Sequence, residues 1–258
     1  MRVCFIKKKE LLFYSSICIV LAALIFSGTG DDIAVSGVAG SIPIYSVDTQ
    51  EKKIAITFDA AWEDADTDSL LQTLSTYQAK ATVFATGDFI DRCTESIRKF
   101  HDAGHTIANH SDAHPHPNQL AADALQKDTQ LCNDKIKAIT GQDNKLYRAP
   151  YGEYNQNVVD TIHDMGYFFI QWDVDSLDYK DLSKDEIVKR VCTKVKPGSI
   201  ILFHNGTKNT AQALPEILEK LSAEGYSFVS VDELIYQDNY YVDHTGKQIL
   251  ENNEQRTQ

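Results

Sequence analysis

The stretch Ile54-Ala-Ile-Thr-Phe-Asp-Ala-Ala-Trp-Glu-Asp-Ala-Asp66 sets the frame for the chain. A short apolar run, Ile54–Phe58, stops at Asp59, and the acids Glu63, Asp64 and Asp66 follow before the next helical pattern. A run of this length and composition, bounded by polar residues, reads as a buried strand. A carboxylate at the mouth of a buried strand is costly unless it is paired or used. Asp59 is therefore a candidate catalytic base.

Moving outward, further apolar runs of strand length fall at Thr82–Ala85, Thr106–Ala108, Lys145–Tyr147, Tyr167–Trp172, Ser199–Phe203 and Ser227–Val229. Helical patterns lie between them. Leu70, Leu71, Leu74 and Tyr77 share one face, and Ile90, Cys93, Ile97 and Phe100 share another. A longer helix is expected from near Asn118, with Leu131, Lys135, Ile136 and Ile139 in its last turns and Gly141 as its stop. Val158, Val159, Ile162 and Met165 precede Gly166, and Leu214, Ile217, Leu218 and Leu221 precede Gly225. Ser183-Lys-Asp-Glu186 has the spacing of a capping box. Strand alternating with helix over short connections means parallel strands joined by helical crossovers. The fold class is α/β, either a barrel or a doubly wound sheet.

Composition narrows the function. At 258 residues and 43% apolar content the chain suits one large domain with a sizeable core. A formal net charge of −12 argues against nucleic acid and against electrostatic binding to an anionic membrane. The 5 cysteines are too scattered for a disulfide framework or a paired-cysteine zinc site, and Cys93 and Cys132 fit as free thiols on apolar helix positions. Arg2 and Lys7–Lys9 precede an uncharged, mostly apolar run, Leu11–Phe26, and then Ser27-Gly-Thr-Gly. This is the pattern of a secretory signal or an uncleaved signal anchor, with the rest of the chain outside the cytoplasm. The expected organisation is a hydrophobic N-terminal helix within 1–30, a tether over 31–52, a catalytic domain over 53–236 and a polar extension over 237–258. Membrane contact is expected only through the N-terminal segment, and the protein is expected to be monomeric.

In parallel α/β folds, functional groups gather at the carboxyl ends of the strands. Asp59 follows the first run; Asn109-His110-Ser-Asp-Ala-His114-Pro-His116 follows the third. Arg148-Ala-Pro-Tyr-Gly152 follows the fourth, Asp173-Val-Asp175-Ser-Leu-Asp178-Tyr179 the fifth, and His204 the sixth. Carboxylates, imidazoles and one arginine on a single rim have the polarity of a metal-assisted hydrolytic site. His110 and His114, four apart, can share a cation if they lie on a helical turn, although an isolated pair at this spacing is more often two loop histidines. Neutral imidazoles suit zinc, cobalt or nickel. His204 reads either as a core-edge histidine or as a general acid held charged by a nearby carboxylate. A buried Arg148 needs a partner, and Asp59 is the natural one. Trp172, Tyr151 and Tyr179 read either as core aromatics or as walls of a sugar site.

Thr57-Phe58-Asp59, His110-Ser-Asp-Ala-His114, Arg148-Ala-Pro-Tyr-Gly152, Asp175-Ser-Leu-Asp178-Tyr179 and Leu202-Phe-His204 occur in order. Together they resemble the five motifs of the polysaccharide deacetylases with the NodB homology domain, carbohydrate esterase family four. The resemblance implies a distorted (β/α)7 barrel and a divalent metal, zinc first, with cobalt or nickel as alternatives. It implies removal of N-acetyl groups from cell-wall glycan, peptidoglycan by default. Asp59 matches the base, His110 and His114 two metal ligands, and Arg148 the residue that orients the base. Tyr151 matches the residue whose backbone N–H helps bind the oxyanion. Asp178 matches the acid that tunes the general-acid histidine, here His204.

Three positions depart from the family pattern. Ala60 stands where a second, metal-binding aspartate is usual, Ala61 replaces a glycine, and Tyr179 replaces a tryptophan. Asp66, with Asp64 next in line, is a candidate for the missing third ligand, although a carboxylate at the start of a helix is equally accounted for as a cap. The alternatives are hydrolysis of another non-peptide amide on the same fold, and a catalytically silent glycan-binding wall protein.

Overall fold

The computed structural model describes residues 42–251. The expected N-terminal signal or anchor helix, the first half of the tether and the last residues of the extension lie outside this range. Among the described residues, no helix is long and apolar enough to cross a membrane.

Eight parallel strands form the main sheet, and all but one of them lie where the sequence pattern puts them. They are β2 (Lys53–Ala60), β3 (Ala81–Ala85), β4 (Thr106–Asn109), β5 (Leu146–Tyr147), β6 (Phe168–Phe169), β7 (Val174–Asp175), β8 (Ile200–His204) and β9 (Ser227–Val229). The spatial order is β6-β5-β4-β3-β2-β8-β7, with β9 also pairing β2. The two ends of that order, β6 and β7, are consecutive in the chain, so the sheet curls into the (β/α)7 form. β7 is the strand that the sequence pattern does not announce, because its one apolar residue, Val174, lies between Asp173 and Asp175.

Alternation along β2 separates two cores. Ile54, Ile56, Phe58 and Ala60 pack against the surrounding helices, together with Leu70, Leu74, Phe89, Ile97 and Leu214. Ala55 points the other way, into an inner cluster with Phe84, Ala108, Ile170 and Ile200. The period of two in a strand dictates that Thr57 and Asp59 share the inner face with Ala55. The inner core is apolar towards the amino ends of the strands and polar at their carboxyl ends, and that gradient locates the site.

The helices follow their punctuation with small shifts. The expected continuous face Ile90–Phe100 is two helices, Gly87–Arg92 and Thr94–Asp102, broken at Cys93. The long helix runs Ala122–Thr140, after a separate turn at Pro117–Gln119, and ends at Gly141 in the left-handed conformation, φ 71°. Its buried face is Leu125, Thr129, Cys132 and Ile136, while Leu131 is exposed. The Ser183 capping box is present, and Cys93, Cys132 and Cys192 are free thiols.

The ends of the described chain depart from expectation. The residues read as tether and as a peripheral, frayed extension form a small sheet of β1 (Ser46–Val47), β11 (Lys247–Leu250) and β10 (Tyr240–Val242). Ile44 and Val47 join the inner core beside Val231 and Leu234, so these segments close the amino end of the curled sheet. Gln248 anchors the arrangement. It is fully buried, and its side chain accepts from the Tyr236 N–H (2.8 Å) and donates to the Tyr236 carbonyl (2.8 Å). Gln248→Ala leaves both backbone groups without partners and is expected to lower stability by about 2 kcal/mol in urea denaturation.

Candidate active site

Pairing of β2 with β8 sets Asp59 beside His204 on one rung of the sheet. Paired residues of neighbouring strands present their side chains on the same face, so both project into the carboxyl-end cavity. That cavity has a volume of about 300 Å³ and is lined by Asp59, His110, His114, Trp172, Tyr179 and His204, among others.

Asp59 is held by Arg148. The guanidinium is fully buried, lies over the Phe84 ring at 4.0 Å, and donates from Nη1 to Asp59 Oδ1 (2.7 Å) and to Thr57 Oγ1 (2.9 Å). Nη2 donates to the Gln171 carbonyl (3.1 Å). Burial alone would raise the Asp59 pKa, but Arg148, with smaller effects from His110 and His204, holds it below the ordinary carboxylate value. The carboxylate is ionised at neutral pH and can take a proton.

His204 carries the opposite poise. Asp178 accepts from His204 Nδ1 (2.7 Å), from the His204 backbone N–H (2.7 Å) and from Thr210 Oγ1 (2.6 Å). Burial pulls the imidazole pKa down, but the hydrogen bond and charge of Asp178 outweigh it and leave it raised. With Nδ1 engaged, Nε2 is the end left to donate into the cavity.

His110 and His114 converge without a helical turn. They lie in the loop after β4, where Ser111 and His114 have positive φ (72° and 54°), and their ring centroids are 5.1 Å apart. Side chains pin this loop: Asn109 Oδ1 accepts from the Ser111 N–H (2.8 Å), Asp128 from those of Asp112 (3.0 Å) and Ala113 (3.3 Å), and Ser111 Oγ from that of His114 (3.0 Å). His110 Nδ1 lies 2.9 Å from the Arg148 carbonyl, which can only accept, so the neutral ring carries its lone pair on Nε2, 3.6 Å from Asp59 Oδ2. Burial lowers the pKa of both imidazoles, that of His114 to about 4 with help from His110. Neutral rings with free lone pairs are what a divalent cation requires.

The third donor does not join them. Among the described residues, no three histidine, cysteine, aspartate or glutamate side chains are grouped to hold a metal ion. Ala60 offers only a methyl, and it packs in the outer core. The Asp66 carboxylate accepts from the Gly206 N–H (2.9 Å) through Oδ2, while Asp64 accepts from Ser96 Oγ (2.7 Å). Asp66 precedes the helix Thr67–Thr76 yet makes no side-chain cap; its Oδ2 ties the β2 exit loop to the β8 exit loop, and its Oδ1 is buried with no hydrogen-bond partner among the described residues. The donor set is two imidazoles, and the full three-donor site of the family pattern does not fit this chain.

Aromatic rings build the walls. Tyr151, at φ 60°, packs edge-on to His114 (4.5 Å) and is stacked on His116 (4.2 Å), whose Nδ1 meets Glu153 (3.0 Å). His116 thus braces a cavity wall from behind. Tyr179 stands edge-on to His204 at 5.2 Å, and Trp172 lies 5.5 Å from the Arg148 guanidinium. Gly152, at φ 66°, leaves room for Trp172; a Cβ there would come within 2.8 Å of the indole. Two lining residues escaped the sequence reading, Trp62 and Asp175. Both sit within quoted motifs, and only their register against the cavity distinguishes them from neighbours.

The comparisons agree with this geometry. The polysaccharide deacetylase family matches residues 46–170. The peptidoglycan-N-acetylmuramic acid deacetylase PdaA of Bacillus subtilis is 32% identical over 197 residues, covering 75% of each chain. The peptidoglycan-N-acetylglucosamine deacetylase PgdA of Listeria monocytogenes is 33% identical over 80% of this chain, which spans 42% of that protein. In structure, the chain resembles BA3943 of Bacillus anthracis, a pseudoenzyme of carbohydrate esterase family four (TM-score 0.72, 30% identity, 75% of this chain and 68% of that one). A mutant of that pseudoenzyme has restored enzymatic activity. The chain belongs to the polysaccharide deacetylase family, hydrolases of carbon–nitrogen bonds other than peptide bonds.

The Asp66 geometry makes a direct prediction. Asp66→Ala should leave zinc affinity unchanged in calorimetric titration while costing about 1 kcal/mol of stability through the lost Gly206 contact. His110→Ala should abolish whatever zinc binding the wild type shows.

Proposed function

We propose that this chain hydrolyses the N-acetyl amide of a cell-wall glycan, with peptidoglycan N-acetylhexosamine as substrate, outside the cytoplasm. The observation that carries the reading is the Asp59–His204 rung, an ionised carboxylate and a raised imidazole side by side in one cavity, each with its own buried partner. A binding protein has no need of a base and an acid so poised.

Water, carboxylate and imidazole then divide the work. Asp59 takes a proton from water as its oxygen attacks the acetyl carbon, with Arg148 fixing the direction of the carboxylate. The tetrahedral oxyanion is received by the Tyr151 backbone N–H. Protonated His204 donates from Nε2 to the amide nitrogen as the C–N bond breaks, so the sugar leaves as an amine and acetate is the second product. Tyr179 and Trp172 hold the sugar ring. A divalent metal, zinc by the family pattern, would be held by His110 and His114 and would supply charge for the carbonyl oxygen; with two protein donors its binding is weak.

A second reading, a glycan-binding protein that does not turn over, is favoured by Ala60 in the outer core and by the likeness to a pseudoenzyme. Acetate release from N-acetylglucosamine oligomers, with and without chelator, separates the two. Turnover that falls at least tenfold with chelator and in Asp59→Asn supports metal-assisted hydrolysis. Glycan binding with no acetate under either condition supports the silent protein.

The His204 pKa is open to an independent check. Because Asp178 raises it, the ion pair contributes stability fully below the unfolded histidine value of about 6.5, lost as pH rises through the raised folded value. Asp178→Asn is expected to lower the His204 pKa in NMR titration and to move the alkaline limb of any acetate-release profile to lower pH.

A further inference from the structure

Trp62 is a large apolar side chain held in the open. It is 49% exposed, on the loop that leaves β2. Its indole lies 5.5 Å from the His204 ring and 6.5 Å from the His114 ring, at the edge of the catalytic cavity. The loop beneath it is clamped: Arg92 donates from Nη1 to the Trp62 carbonyl (2.8 Å) and from Nη2 to the Ala61 carbonyl (2.8 Å). Two charge-assisted hydrogen bonds on adjacent carbonyls fix the backbone and leave the ring its exposed surface.

A second cavity, of about 320 Å³, adjoins Trp62. It shares Ala61, Trp62 and His114 with the catalytic cavity and is otherwise lined by Thr86, Asp88, Asp91 and Arg92. Asp91 is paired to Lys135 (2.8 Å), and Asp88 is exposed. A platform ring bordered by exposed carboxylate oxygens has the chemistry that receives a pyranose: C–H faces pack on the indole and hydroxyls donate to carboxylate. Continuity through shared lining residues gives a polymer a path from one cavity to the other.

We propose that the second cavity is a subsite for the sugar unit next to the one bearing the acetyl group, with Trp62 as its stacking platform and Asp88 as a hydroxyl acceptor. This rests on the reading of the chain as a glycan-acting protein, and it makes Trp62 a determinant of chain length. A glycan chain gains affinity from this subsite that a monosaccharide in the catalytic cavity lacks.

The test is a calorimetric titration of the full chain with N-acetylglucosamine and with its tetramer, independent of turnover. The wild type should bind the tetramer at least about tenfold tighter than the monosaccharide, the ratio expected for one added stacked ring. Trp62→Ala should weaken the tetramer about tenfold more than the monosaccharide and so remove that ratio, and Trp62→Phe should retain most of it. In Trp172→Phe, Trp62 is the remaining one of the 2 tryptophans, and its emission should shift on adding tetramer. A length advantage that survives in Trp62→Ala overturns the subsite. So does an equal loss of both ligands, which makes Trp62 a wall of the catalytic cavity alone. Wild type that binds neither sugar overturns the glycan reading itself, whereas length-dependent binding without acetate release overturns only hydrolysis.

Discussion

The site depends on a buried ion pair inside the curled sheet, Arg148 against Asp59. A guanidinium in an apolar interior is tolerated only with its charge compensated and its donors engaged, and removing one partner from such a pair typically costs about 3–5 kcal/mol. Arg148 meets the charge requirement with Asp59 and engages Nη1 and Nη2 with a carboxylate, a hydroxyl and a carbonyl over the face of Phe84, while its buried Nε–H has no hydrogen-bond partner among the described residues. Its own backbone carbonyl then receives His110 Nδ1. One residue orients the Asp59 carboxylate through its side chain and sets the tautomer of a neighbouring imidazole through its main chain.

The other half of the chemistry is built with inverted charge. Asp178 is sunk beneath His204 and gathers three donors, so its effect on the imidazole outweighs desolvation. The Asp59 carboxylate and the His204 imidazole are thereby pushed apart in pKa while standing on one rung, the arrangement that the proposed hydrolysis would use. Between them and the two loop histidines lies the point where this chain departs from its family. Ala60 has the adjacent position in sequence but the opposite face in space, and among the described residues no acid groups with the two histidines into a three-donor set.

Much of this was legible before any coordinates. Buried strands advertise themselves as apolar runs, and seven of the eight in the main sheet are legible that way; β7 is not, because its single apolar residue, Val174, lies between two aspartates. Asp59, Arg148 and His204 could be named because each sits at the end of a run, where a parallel sheet exposes its chemistry, whereas Asp178 was singled out among the acids of its loop by the family resemblance. The partnership of Arg148 with Asp59 followed from the cost of burying a lone charge. The partner of Asp66 is not legible because sequence distance carries no direction: its Oδ2 meets the Gly206 N–H across the fold. Trp62 was overlooked for the same reason, since an indole beside a motif is indistinguishable from a core indole until its exposure is known.

By itself, then, the sequence determined the α/β alternation, the set of chemical groups on the rim and the substitution at position 60, because each is written in local pattern and residue identity. Tertiary structure alone decided three further things. It closed the amino end of the sheet with segments that read as tether and tail, tied Asp66 to the β8 loop, and set Trp62 between two cavities. These outcomes depend on which distant backbone groups and surfaces meet, and such meetings are fixed by long-range packing and hydrogen-bond satisfaction rather than by any period in the chain.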